Sequence, residues 1–403
     1  MRFLTNDFVN RDPRALLNTG KIATLSETAI PIKQYITVTG SDTLQIEEGC
    51  VFSIFGGGVF KTDETSLSAS DLDTGTAFQV GKDYYIYLCD AGEGNDEVYK
   101  ISLNSTYPVG YGAANSRKIG GFHYGKCRKV NSALAPINAS GEVRGTSWES
   151  SVFDGIVPRS VWTLAHRPKC SPEGMVYLSN GTWVDIYLSS DDGAGGLQSA
   201  YNATPLTGSE GLNWYGFVER ALVVGKRLLT YEEFCMMAYG SPQGLAENNN
   251  NAWTASANKG RQKTGFVDNA VSSVGCRDAV GNVWEWLNEL ITRAEHVAIN
   301  GSGTFGAHEG GRAGQAYTNG NGHYLAAPAA NSAQLGRWGW DTFSPFGDGY
   351  GNIYEYYDYS LVALLGGGDW SSGAQAGARA VSLNNYPWPV DVSIGGRGAC
   401  DSL

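Results

Sequence analysis

Five histidines and four methionines in 403 residues leave little material for metal or cofactor chemistry. The histidines (His123, His166, His296, His308 and His323) are dispersed, and none forms the i, i+4 pair that places two imidazoles on one helix face. No G-x-S-x-G element, phosphate-binding glycine loop or dinucleotide fingerprint occurs. Basic charge is also short: 29 Lys and Arg stand against 40 Asp and Glu, a net charge of -11 with no basic stripe. That excludes nucleic acid as a partner, because phosphate binding rests on clustered cations. No apolar run approaches the roughly 20 residues of a membrane helix. The opening "MRFLTNDFVN" lacks the basic start and apolar block of a secretory signal, so none is expected. Seven cysteines (Cys50, Cys89, Cys127, Cys170, Cys235, Cys276 and Cys400) are odd in number and lack metal-type spacing. They read as separate buried thiols of a chain folded in a reducing cytoplasm.

What the chain does have is glycine (54), tyrosine (22) and tryptophan (11), with 42% hydrophobic and only 17% charged residues. That mixture indicates short strands, ordered turns and a sizeable core. Residues 1–30 have no clear pattern and read as an arm that docks on a partner or on a second copy of the chain. From 31 to 160, "KQYITVTG", "CVFSIFGG" and "KDYYIYLCD" are β-rich runs without a helical period, which predicts a β-sandwich-like domain. Near 160 the character changes. "MVYLSNGTWVDIYL" predicts a hairpin turning at Asn180-Gly181. "LNWYGFVERALVVGKRL" predicts a helix through Arg220 that ends before Gly225. "TYEEFCMMAYG" predicts another, with Thr230 and Glu233 as a capping box, Phe234, Met237 and Ala238 on the buried face and Gly240 as left-handed stop. Residues 300–360, rich in Gly, Asn and Tyr, read as an ordered insertion. The overall class is α+β.

The most specific short motif is "GNVWEW", Gly281 to Trp286. Its tryptophans alternate as on a strand with both rings on one face, and Asn282 and Glu285 are placed to bond nearby backbone. With "KRLLTYEEFCMMAYG" before it and "GGGDWSSG…ARA…IGGRGA" after it, the order of blocks resembles the C-type-lectin fold shared by formylglycine-generating enzymes and the variable proteins of diversity-generating retroelements. "KDYYIYLCDAG", "SRKIGGFHYG", "SVWTLAHRP…GMVYLSNGTWVDIYL" and "GGRGACDSL" narrow the likeness to the major tropism determinants of phage, a family of retroelement-diversified receptor-binding proteins, from about residue 45 to the end. The likeness implies a lectin domain over 161–403 with a variable region at about 365–400. It also implies a homotrimer at a phage tail-fibre tip on the virion, assembled in the host cytoplasm. The partner would be a bacterial surface receptor, protein or glycan.

The same likeness implies no catalysis and no cofactor. A formylglycine-type oxidase, the alternative on this fold, needs a cysteine pair in the C-terminal segment, and Cys400 stands alone there. The fold leaves room for a structural calcium ion, yet no acidic cluster singles out ligands for it. A bacterial surface-displayed variable protein is the other alternative and needs an export or anchor sequence. Carried over by resemblance, the receptor-binding positions are Asp369, Ser371, Gly373, Gln375, Ser382, Asn384, Asn385, Pro389, Asp391, Ser393 and Ile394. Retroelement mutation acts at template adenines, and an asparagine template codon gives all of these residue types except Gln, and never Trp. The steps of two from Asp369 to Gln375 and from Pro389 to Ser393 suggest extended strands with one outward face. Trp370, Ala374, Val390 and Val392 would then face the core. Arg379 and Arg397 would hold unpaired carbonyls, and Gly395, Gly396 and Gly398 would permit tight turns.

Overall fold

The computed structural model describes residues 34–54, 59–92, 97–137, 140–141, 152–242, 260–292, 361–372 and 376–403, together with short strands at 304–305, 315–316, 323–326 and 352–355. The expected arm at 1–30 and most of the expected insertion at 300–360 lie outside these residues. The described chain is mostly sheet with few helices. It divides into two compact units that interleave along the sequence instead of meeting at a single cut near 160. One contains the described residues up to Phe78 with Tyr84–Gly121 and Val161–His166. The other contains Gln79–Asp83, Phe122–Ser160 and Arg167–Leu403.

The first unit is built from short strands. Ile36–Val38, Leu44–Ile46 and Thr65–Leu67 form one antiparallel sheet, and Val51–Ser53 pairs with Val59–Lys61. The run "KDYYIYLCD" is the strand Lys82–Asp90, paired with Glu97–Ser102. Tyr84 to Cys89 are all buried, so this strand is covered on both faces and reads as a continuous apolar run without alternation. Gly121 is needed for close approach: a Cβ there would lie 2.5 Å from the Tyr84 carbonyl oxygen and 2.8 Å from the Trp162 ring. The Tyr35 hydroxyl donates to the Ile119 carbonyl at 2.5 Å and accepts from the Leu164 amide at 3.2 Å.

The second unit carries both α-helices among the described residues. Helix α1, Trp214–Val223, is capped by Asn213, whose Oδ1 accepts from the Gly216 amide, and it buries Phe217 and Ala221. Helix α2, Tyr231–Ala238, has the predicted capping box: Thr230 Oγ1 accepts from the Glu233 amide and the Glu233 carboxylate accepts from the Thr230 amide. Phe234, Met237 and Ala238 enter the main core, and Gly240 takes φ 78°. The Asn-Gly hairpin exists between Met175–Tyr177 and Thr182–Asp185, but its turn is longer than the two-residue type. Ser179 and Gly181 hold the positive φ values, and the Leu178 amide closes it on the Thr182 carbonyl.

Two sheets meet at the end of the chain. Ile394–Gly396 pairs in parallel with Trp284–Trp286, within a sheet that also contains Leu361–Gly366 and Val381–Asn385. Gly398–Asp401 pairs antiparallel with Thr182–Val184 on one side and Arg227–Leu228 on the other. Arg397 is the one residue between these two strands. Its neighbouring glycines do not turn the chain, because none of Gly395, Gly396 and Gly398 has positive φ. They make room: a Cβ on Gly396 would lie 2.9 Å from the Phe217 ring and one on Gly398 2.6 Å from Asp185 Oδ2. The left-handed residues are Gly367 and Gly368.

Candidate functional site

The framework of the site is set by Arg397, which is fully buried. Its Nε and Nη2 bond both carboxylate oxygens of Glu285 at 3.0 and 2.9 Å. Its remaining donors reach the carbonyls of Asp185 and Ile186 (3.0 and 2.7 Å) and Arg277 (2.7 Å). A planar fork with five donors suits such a site, where three carbonyls and one carboxylate converge. Glu285 therefore holds a guanidinium and not backbone, which corrects the reading of "GNVWEW". Asn282 does bond backbone, accepting from the Gln262 amide and donating to its carbonyl. Burial works against the charge on Arg397, but Glu285 outweighs it and holds the guanidinium protonated. Burial pushes Glu285 itself upward against the pull of Arg397. Alongside, Lys226 Nζ lies 2.6 Å from buried Asp185 Oδ1, and Asp185 Oδ2 accepts from the Gly398 amide. Arg379 is also buried, and its carbonyl accepts from the Tyr231 hydroxyl at 2.9 Å.

From this frame the segment 386–393 extends to the surface. Its backbone is gripped from the opposite side by residues 208–214. The Gly208 amide donates to the Asp391 carbonyl, the Trp214 amide to that of Pro387, and Asn213 Nδ2 to that of Trp388. A Cβ on Gly208 would sit 2.2 Å from the Asp391 nitrogen, so the close approach requires glycine. At the far end the Trp284 amide donates to the Ser393 carbonyl. Asp391 Oδ1 accepts from both the amide and the hydroxyl of Ser393 at 2.7 Å, a local turn. Four contacts thus fix the backbone of this loop.

The extended-strand geometry expected for the site residues is not what forms. Asp369 is buried and closes a turn, accepting from the Ser371 amide and hydroxyl and from the Ser372 hydroxyl. Ser382 is buried, in an interior strand that lies between Leu361–Gly366 and 352–355, opposite Leu365 on one side and Tyr354 on the other. Ile394 is buried in the cluster with Trp286, Phe217 and Leu206. These three do not project outward. Ser371, Pro389 and Asp391 are exposed, and Asn385 and Ser393 are half-buried. Asn384 contributes its backbone to the strand Val381–Asn385, while Gly373, Gln375 and Ala374 lie outside the described residues.

The residues assigned to the core are also partly reversed. Val390 and Val392 are 54% and 57% exposed, and Trp388 is 53% exposed. Trp388 stacks on Tyr386 with ring centroids 5.0 Å apart and planes 5° from parallel. Trp370 is half-buried. The sequence did contain the signal: Pro387 and Pro389 flank Trp388, and two prolines in three residues break a ladder, so alternation there cannot mean strand.

Of the other candidates, His123 is a buried histidine with Nδ1 2.9 Å from Asp83 Oδ1 and Nε2 3.0 Å from the Tyr187 hydroxyl. His296 and His308 lie outside the described residues. Among the described residues no group of three or more His, Cys, Asp or Glu could hold a metal ion, and no helix is long and apolar enough to cross a membrane. Cys400 is not alone, since the Cys170 amide donates to its sulfur at 3.2 Å.

A sheet-rich unit thus holds a surface loop by its backbone beside a buried arginine, in keeping with a C-type-lectin-like fold. The comparisons with known proteins are specific. Residues 34–149 match the family model of the Mtd second domain. The chain is 27% identical over 386 residues to the tail fiber receptor-binding protein of Bordetella phage BPP-1, covering 91% of this chain and 82% of the relative. Its structure is similar to the P3c variant of the major tropism determinant (TM-score 0.61, 24% identity) and to the I1 variant (TM-score 0.60, 26% identity). Each match covers 92% of this chain and 83% of the other. The resemblance read from the sequence is borne out, and the fold is that of the major tropism determinants. The oxidase alternative finds no support among these relatives, which are receptor-binding proteins and not enzymes.

Proposed function

We propose that this chain is a tropism-determining receptor-binding protein of a phage tail fibre, located on the virion, whose C-terminal surface segment binds a bacterial surface molecule. One observation carries the reading: segment 386–393 is held by its backbone at 208, 213, 214 and 284, while the side chains of 388–392 are exposed. Such a segment tolerates exchange of side chains without losing its path. In this reading Ser371, Asn385, Pro389, Asp391 and Ser393 form the receptor face. Gly373, Gln375 and Asn384 are further proposed positions, and Asp369, Ser382 and Ile394 are proposed positions that are buried.

A polar face of a few small side chains makes a weak single contact. Assembly as a homotrimer presents three copies, and several trimers per virion raise avidity on the order of 10²–10⁴-fold where geometry permits. Residues 31–160 are read as a β-sandwich-like domain, and residues 1–30 as an arm for trimerisation or virion attachment. The test is adsorption of the purified full-length chain to host cells. Asp391→Lys and Asn385→Lys should each weaken binding by about tenfold or more, roughly 1.4 kcal/mol, with the thermal midpoint unchanged. Unchanged binding by both variants would reject this face. A near-copy of the coding sequence for 365–400, differing at adenines beside a reverse-transcriptase gene, would show that the face is diversified.

A further inference from the structure

The segment 167–170 lies along the final strand in antiparallel register. The Lys169 amide donates to the Asp401 carbonyl and the Leu403 amide to that of Arg167, both at 2.9 Å, and Pro168 is the bridge partner of Ser402. Continued by two places, this register sets Cys170 opposite Cys400. The pairs on either side of Pro168–Ser402 exchange the hydrogen bonds, so 168–402 and 170–400 are the non-hydrogen-bonded type, with side chains closest together. Cα atoms in such pairs lie about 4.5 Å apart, within the roughly 4.4–6.8 Å that a disulfide spans. One contact bears out the approach: the Cys170 amide is 3.2 Å from Cys400 Sγ. Cys170 is half-buried and so within reach of a small reagent, whereas Cys400 is buried behind it.

We propose that Cys170 and Cys400 form an intramolecular disulfide when the folded chain meets a low-molecular-weight disulfide such as oxidised glutathione, clipping the C-terminal strand to segment 167–170. One protein thiolate attacks the oxidant RS–SR, forming a mixed disulfide and releasing RS⁻. The second protein thiol gives up its proton and its sulfur displaces the remaining RS⁻. Two protein sulfurs are oxidised, one RS–SR is reduced to two RSH, and the two thiol protons end on the released thiolates. Cys170, the thiol within reach, makes the mixed disulfide, although its interaction with Cys400 and its burial push it upward. The surroundings favour the second step, displacement by the Cys400 sulfur. The hydrogen bond from Cys170, with the amides of Cys170 and Lys169, holds the Cys400 thiol down to about 6 against its burial. Burial instead pushes Cys89, Cys235 and Cys276 up to about 12, which leaves them unreactive. The clip would fasten the last strand, Gly398–Asp401, which follows the exposed loop after Ile394–Gly396 and Arg397, and it does not depend on what that loop binds.

The test uses the intact full-length chain. It is equilibrated with mixtures of reduced and oxidised glutathione, quenched with iodoacetamide, and analysed by intact mass and peptide mapping without reduction. The expected result is a loss of two hydrogen atoms per chain, one linked peptide pair containing residues 170 and 400, a raised thermal midpoint, and reversal of all three by dithiothreitol. Cys170→Ser should abolish the link, and Cys89→Ser should leave it in place. An unchanged mass, glutathione adducts without a link, or a link between two chains would each overturn the proposal. The wild-type measurement stands whether or not any variant folds.

Discussion

At the scale of single residues the division between display and frame is sharper than the sequence pattern suggests. Trp286 is fully buried while Trp284 is half-buried, so Trp286→Ala should cost about 3–5 kcal/mol and Trp284→Ala less, measured by denaturant unfolding. Glu285→Ala leaves the Arg397 charge buried without its carboxylate, and losing one partner of a buried pair costs about 3–5 kcal/mol. Ser382 and Asn385 separate the two roles within one strand. Ser382→Lys should destabilise, because a charge enters a covered site, whereas Asn385→Lys at the half-buried strand end should leave the unfolding midpoint within about 0.5 kcal/mol of wild type. Equal destabilisation by both would show that strand register does not decide which positions tolerate change. None of this was legible in the step of two alone. Alternation separates two faces of a strand without saying which of them is covered, and Ser382 lies on a covered one.

At the scale of elements, local chemistry and tertiary chemistry were not equally readable. Helix α2 was legible to the residue, because Thr230, Glu233 and Gly240 are local signals and Phe234, Met237 and Ala238 follow the helical period. The loop 386–393 was not, because its path is dictated by Gly208, Asn213, Trp214 and Trp284, remote in sequence. The proline pair around Trp388 was the one local hint against a strand. The pairing of Cys170 with Cys400 likewise depends on register across 230 positions of sequence, which spacing rules do not reach. Helix α2 also carries an acid-sensitive contact. Although burial raises it, the bonds from Arg227 and from Thr230 hold the Glu233 carboxyl below the ordinary 4.5 of glutamate. A depressed carboxyl contributes stability that is complete above its unfolded value and is lost as pH falls through the folded one. Stability should therefore decline below about pH 4.5, and Glu233→Gln should make that decline shallower in urea titrations at successive pH values. Gly208→Ala tests the loop grip: it should displace Asp391 and change receptor adsorption while α1 and α2 keep their far-ultraviolet signal.

At the scale of the whole molecule, the order of the chain matters as much as its shape. The displayed segment is not an appendage hung from a finished domain. It is followed by Arg397, which ties three carbonyls and Glu285 together, and by Gly398–Asp401, which has a strand on either side. A chain that stopped within 386–393 would lack both an interior strand and the pivot before it, and two sheets would stay incomplete. It should fail to fold cooperatively in a thermal melt, whereas a chain carrying substitutions at the exposed positions 388–392 keeps every one of these closing contacts.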